Sequence, residues 1–233
     1  MTRWGYLSLA LVLASFGLAG YAHLNADAIP GGKIPIHWNI HGEPDGWASP
    51  DQPFLAFYLL PTMLGGVVAL GLFALPWLSP RNFAVEGFRQ TYDYVFFLVA
   101  ALFLYLGGII TWSQFHGPLH LERTLLAGIF LFFALLGNVL GKVKRNFWMG
   151  VRTPWTLADP VVWDRTHRVA AWLFVATGVA GAVLALLGVH PAVCFVLLMV
   201  GALSPIVYSL VLYKRLEREG KLESQQQAVT TVE

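Results

Sequence analysis

Apolar residues in this chain come in long unbroken runs rather than in alternation. The runs cover residues 4–22, 54–78, 94–112, 125–140, 169–188 and 192–213. Crossing the hydrocarbon core of a bilayer takes about 20 helical residues. The fourth run is the short one, and it extends toward Glu122. Continuous runs predict helices, because the strands of a membrane barrel alternate apolar and polar positions. The expected fold class is all-α: a polytopic membrane protein with six transmembrane helices.

The charges between the runs are asymmetric. With the N-terminus placed in the cytoplasm, the inner segments hold thirteen Lys and Arg residues, and the outer segments hold only Lys33 and Arg123. Cationic loops are retained on the cytoplasmic side, so both termini are expected there. Trp4, Trp77, Trp112 and Trp172 fall near span ends, where indole rings favour the interface. The first run has a second reading. Arg3, an apolar core and Gly20-Tyr21-Ala22 could form a cleavable signal peptide, which would leave five helices and the same loop sidedness. Composition agrees with the membrane reading: 57% of residues are hydrophobic and 12% charged, against about 25% charged in soluble domains. Cys194 lies in an apolar run without a partner cysteine, so a buried, inert thiol is expected. The chain divides into a membrane region at 1–115 with an outer loop at 23–53, a second region at 116–215 with a basic inner loop at 141–168, and a polar tail at 216–233 expected to be disordered.

Two polar segments carry the chemistry. The outer one holds His37, Trp38, Asn39, His41, Asp45 and Trp47. Its Glu43-Pro44-Asp45-Gly46 run predicts a turn, with φ preset by proline and glycine free to take a positive φ. His37, Asn39 and Asp45 are expected to converge on one side of the loop. Six of the seven histidines fall on or near this side, and His116 and His120 lie in the next outer loop. Imidazole and carboxylate together are zinc-ligand chemistry, so His37, His41, His116 and His120 are the metal-site expectation, with zinc at the outer face as the cofactor. The alternative is hydrogen bonding to backbone carbonyls or headgroups. The spacing matches no established zinc signature.

The inner segment opens at Asn138, passes Lys142, Lys144 and Arg145, and continues through Asn146, Gly150, Arg152-Thr153-Pro154-Trp155, Trp163, His167 and Arg168. Asp159-Pro160 predicts a helix start, with Asp as N-cap and Pro at the first position. On that helix Trp163 and His167 share a face, and Asp164 and Arg168 are spaced for an i,i+4 ion pair. The Arg152 guanidinium could hold a phosphate or carboxylate bidentately, or cap helix carbonyls. Gly65-Gly66 and Gly107-Gly108 are expected to permit close helix packing.

Gly137-Asn138, Asn146, Gly150-Val-Arg152-Thr153-Pro154-Trp155-Thr156-Leu157, Trp163 and Thr166-His167-Arg168 resemble the signature of the SdpI family of bacterial membrane proteins. Pro35-Ile-His37-Trp38-Asn39 and Gly42-Glu-Pro44-Asp45-Gly46-Trp47 resemble the uncharacterised domain that commonly precedes it. The resemblance implies a multi-spanning protein of the bacterial cytoplasmic membrane. It also implies immunity toward an envelope-active toxic peptide outside and signalling through a cytoplasmic repressor inside, with membrane lipids as the remaining partner. Two further functions stay open on the residues: a metal-dependent enzyme acting on lipid or peptide at the outer face, and a lipid or small-molecule transporter. The near absence of ionisable groups within the spans argues against ion-coupled pumping. No nucleophilic triad or other catalytic residue is assigned, and nucleic-acid binding is not expected.

Overall fold

The computed structural model describes residues 1–39, 43–117 and 120–222. Helix α1 covers Arg3–Leu24, and a hairpin of β1 (Ile34–Trp38) and β2 (Pro44–Ala48) follows it. Next come α2 (Phe54–Leu78), α3 (Arg89–His116), α4 (Leu121–Leu140), a short α5 (Pro154–Ala158), α6 (Pro160–Leu186) and α7 (Pro191–Arg218). All six long helices are long and apolar enough to cross a membrane, so the chain is a multi-pass membrane protein. The expected spans are recovered. The fourth reaches back to Leu121, and the fifth begins nine residues earlier than its apolar run, because Asp159 and Pro160 start the helix. The final polar residues, 223–233, lie outside the described residues.

Packing follows the small residues. Helices α4 and α6 form the tightest seam. A Cβ added at Gly137 would lie 2.8 Å from the Ala171 carbonyl, and one at Gly178 would lie 2.5 Å from the Ala134 nitrogen. Backbones touch there because neither position carries a side chain. The close approach expected at Gly65-Gly66 and Gly107-Gly108 is not found. Gly65 and Gly107 stand at ordinary contact distance, 3.6 Å, from Val12 and Leu60, and Gly66 and Gly108 face open space. The physical reason is that α1, α2 and α3 meet through side chains (Leu64, Val68, Leu72 and Ala100 packed with Leu9 and Val12), which hold their axes apart. At the far side of the bundle, Phe130, Ala185 and the fully buried Cys194 form another apolar cluster.

Helix α2 is interrupted by π-helical turns at Phe54–Tyr58 and Leu70–Ala74, each upstream of a proline. Pro76 has no N–H to give the Leu72 carbonyl, and in the π turn the Leu75 N–H goes to the Leu70 carbonyl, so that of Gly71 is left without a helix donor too. Helix α3 answers both: Arg89 Nη2 donates to the Leu72 carbonyl at 2.9 Å, and the Tyr92 hydroxyl donates to that of Gly71 at 2.7 Å. Arg89 also donates through Nε to Asp93 at 2.7 Å. The fully buried Asp93 carboxylate accepts a second bond from the Thr2 backbone N–H, also at 2.7 Å. A charge at this depth is tolerated because both its oxygens are paired.

Candidate functional site

Helix α3 carries a folded polar cap at each end. At its C-terminal end Gln114 donates to the Pro35 carbonyl in β1, at 3.0 Å. At its N-terminal end Phe88 and Tyr92 pack with Val143 and Trp163 of the basic segment. Tyr92 and Gln114 are 22 residues apart, about 33 Å along a helix, so the two polar segments occupy opposite ends of the bundle.

The histidine-bearing cap is the two-stranded hairpin. Ile34 pairs with Ala48 and His37 with Gly46, with irregular register between Pro35 and Trp38. Ile34 is buried with Ala19, Ala22, Ile29 and Phe57, which seats the hairpin on the bundle. Pro44, Asp45 and Gly46 lie within β2 rather than in the expected turn. The chain reverses earlier, where the Asn39 N–H donates to the Glu43 carbonyl at 2.9 Å and the Asn39 side chain bonds both the Glu43 N–H and its carboxylate. Asn39 outcompetes the Pro-Asp-Gly run because its side chain ties down the reversal directly. Residues 40–42, and with them His41, lie outside the described residues.

His37 Nδ1 and Asp45 Oδ1 stand 2.5 Å apart on the exposed face of the hairpin. Asn39 does not join them, because it is turned to Glu43. Trp47 is half exposed, whereas the indole N–H of Trp38 is buried and has no hydrogen-bond partner among the described residues. His116 stacks on Trp112 at 4.1 Å and bonds that residue's carbonyl through Nδ1 at 3.2 Å. His120 holds a left-handed conformation, with φ +44°, at the N-cap of α4. Among the described residues, no three His, Cys, Asp or Glu side chains come together to hold a metal. His116 meets the hydrogen-bonding alternative, and the metal-dependent enzyme has no assembled ligand set among the described residues.

The basic cap is more elaborate. Asn146 is fully buried and organises the loop after α4. Its Nδ2 donates to the carbonyls of Lys144 and Met149, at 2.7 and 3.2 Å. Its Oδ1 accepts the N–H groups of Trp148 and Met149, at 2.7 and 2.9 Å. Thr153 and Thr156 then form a reciprocal capping box that starts α5. Asp159 caps α6 as expected, its Oδ1 accepting from the N–H groups of Val161 and Val162. Trp163 and His167 stack at 4.0 Å on the shared face, and the Trp163 indole donates to the Val143 carbonyl at 2.8 Å.

The hydrogen bonds of His167 fix its tautomer. The Trp163 carbonyl can only accept and the Val151 N–H can only donate, so Nδ1 bears the proton and Nε2 accepts, at 2.8 and 3.0 Å. Gly150 makes this approach possible. Its φ is +104°, and a Cβ there would lie 2.2 Å from His167 Nε2. Trp155 donates to Ser209 on α7 at 2.6 Å. Asn146, Trp155, Trp163 and His167 are thus bound into the fold.

Arg152, Arg168 and Asn138 face outward. Arg152 donates through Nη1 to the Phe147 carbonyl, so one arm of its guanidinium caps a carbonyl and the rest has no partner among the described residues. The expected Asp164–Arg168 ion pair is not formed among the described residues. The six ion pairs found lie elsewhere, and an exposed pair of this kind adds little to stability whether or not it forms. Thr153, Thr156 and Gly150 stand in the inner motif, but the sequence alone assigned them no structural role. The capping-box spacing and the glycine before Val-Arg are the signals that could have found them.

Comparison with known proteins falls on these same two caps. Residues 142–209 match the SdpI/YfhL protein family, and residues 9–65 match a domain of unknown function, DUF1648. A 57-residue stretch is 39% identical to the Immunity protein SdpI of Bacillus subtilis (strain 168), covering 24% of this chain and 28% of that protein. No solved structure matches. The match to DUF1648 thus takes in the hairpin and the match to the SdpI/YfhL family takes in the basic cap, both on one six-helix scaffold.

Proposed function

We propose that this protein resides in the bacterial cytoplasmic membrane and confers immunity to an envelope-active toxic peptide. The hairpin at 34–48 faces outward and meets the peptide. The cap at 142–168 faces the cytoplasm and engages a regulator, in the manner of a sequestered repressor. The observation that carries this reading is the likeness to Immunity protein SdpI, together with two well-built caps at opposite ends of α3. The exposed His37–Asp45 pair and Trp47 give the hairpin a polar and aromatic face suited to a peptide. Six cations against two carboxylates between residues 142 and 168 suit an acidic surface or anionic lipid.

The test is survival. Cells lacking the gene are challenged with a panel of membrane-active peptides and complemented with wild type, His37→Ala or Arg152→Ala at equal membrane abundance. Protection by the wild type against at least one peptide, weakened at least fivefold in minimal inhibitory concentration by His37→Ala, is the expected result. If the wild type shifts survival against none of them, the immunity reading fails for this protein.

A further inference from the structure

A partly open cavity of about 360 Å³ lies directly under the basic cap. Its walls come from four helices: Val95 of α3, Leu136 of α4, Phe174 of α6, and Ala202 and Ile206 of α7. Residues 149–153 form its mouth, and Arg152 is the one charged group among its lining residues. Val95 lies six residues into α3 from Arg89, about 9 Å at 1.5 Å per residue. The cavity thus runs from the level of the polar cap into the apolar zone. Ile206, one of its lining residues, is 40% exposed, so the α7 wall of the cavity reaches the surface of the bundle.

The chemistry at the two ends differs. The interior offers only hydrocarbon. The mouth offers a guanidinium whose one hydrogen-bond partner among the described residues is the Phe147 carbonyl. No carboxylate faces it among the lining residues. A planar fork with free N–H groups beside an apolar slot matches a molecule with an anionic head and an aliphatic tail. The volume lies within the usual range for small-molecule sites, about 300–1,000 Å³. The mouth is also fixed in place. The Val151 N–H is held by His167, Gly150 supplies the positive φ, and Thr153 starts the capping box, so the residues on both sides of Arg152 are pinned.

We propose that this cavity is a binding site for one anionic phospholipid of the surrounding bilayer, with its phosphate on Arg152 and an acyl chain between α3, α4, α6 and α7. The site is distinct from the general attraction of cationic loops for an anionic leaflet, because it depends on one arginine and one slot. The role of the cap in immunity is not required for it.

The full chain, purified in a mild detergent, is titrated with dioleoylphosphatidylglycerol or dioleoylphosphatidylcholine and examined by native mass spectrometry. Wild type is expected to retain one phosphatidylglycerol at concentrations that leave phosphatidylcholine unbound. Arg152→Ala is expected to weaken that binding at least fivefold, and Arg152→Lys to weaken it less. Ala202→Phe, which fills the slot, is expected to remove it, with Ala202→Leu giving a partial loss if the larger ring disturbs the fold. Arg165→Ala removes an exposed cation of the same cap that does not line the cavity, and is expected to change binding less than twofold. The proposal is overturned by equal retention of the two lipids, by a loss in Arg165→Ala as large as in Arg152→Ala, or by unchanged binding in both the Arg152 and the Ala202 variants. It is also overturned if oleate displaces phosphatidylglycerol mole for mole, since the occupant would then be a free fatty acid.

Discussion

Replacing Asn146 by alanine tests how the basic cap is held. The side chain is fully buried and makes four hydrogen bonds to backbone: two donated to the Lys144 and Met149 carbonyls, two accepted from the Trp148 and Met149 N–H groups. Alanine deletes all four and leaves two N–H and two C=O groups to find other partners. A lost intramolecular bond costs about 1 kcal/mol net, and a buried group left unpaired about 1–3 kcal/mol. Lys144 and Gly150 are exposed on either side of the turn, so water can reach some of the freed groups and the cost falls to about 3 kcal/mol for local opening. Since about 1.4 kcal/mol is a factor of ten, the opened population should rise on the order of 100-fold. Trypsin reads this directly, because Lys142, Lys144, Arg145 and Arg152 lie in or beside the turn, and cleavage of a rapidly opening segment tracks its open population. Asn146→Asp keeps both acceptor bonds but turns an acceptor toward two carbonyls, so its cleavage should be at least as fast. If Asn146→Ala speeds tryptic cleavage in this cap by less than fivefold, Asn146 does not organise it as described.

Three further outcomes follow from the same geometry. Asp93→Asn removes the counterion of Arg89 beside buried Tyr92 and should destabilise by about 3–5 kcal/mol, the cost of breaking one side of a buried pair; thermal unfolding in detergent measures it. Gly178→Leu must push α6 away from the α4 backbone, where even a Cβ would stand 2.5 Å from the Ala134 nitrogen, and should cost more than the same change at the open position Gly108; exposure of Cys194 to a thiol dye on heating separates the two. Single cysteines at Lys33 and Lys144 in whole cells should react with a membrane-impermeant reagent at position 33 and not at 144, and equal labelling would refute opposite sidedness of the caps.

What could be read from the sequence is what hydropathy encodes. The six spans emerge because an unbroken apolar run has one stable solution in lipid, and the Asp159-Pro160 start and the Trp163–His167 face follow from helix-end chemistry and helical period. What could not be read depends on contacts between distant segments. Nothing local to Asn146 says that its side chain is spent on its own backbone, or that Gly137 rather than Gly107 meets the backbone of a neighbouring helix. The hairpin was hidden because Pro35, Pro44 and Gly46 are poor strand residues. Its strands exist because Ile34 and Ala48 are drawn into the bundle and Asn39 closes the reversal. Arg152 was legible as a residue with something to hold, but the slot beside it is built by four helices that no pattern along the chain brings together.

Pro76 and Arg89 illustrate how a gap in one helix is filled from another. Restoring an amide at position 76, as alanine would, gives the Leu72 oxygen a local donor and sets it in competition with the guanidinium. Arg89 would then keep its carboxylate but lose its foothold on α2. A substitution that perfects one helix taken alone would thereby loosen its grip on the next, so the two positions are expected to tolerate change together more readily than singly.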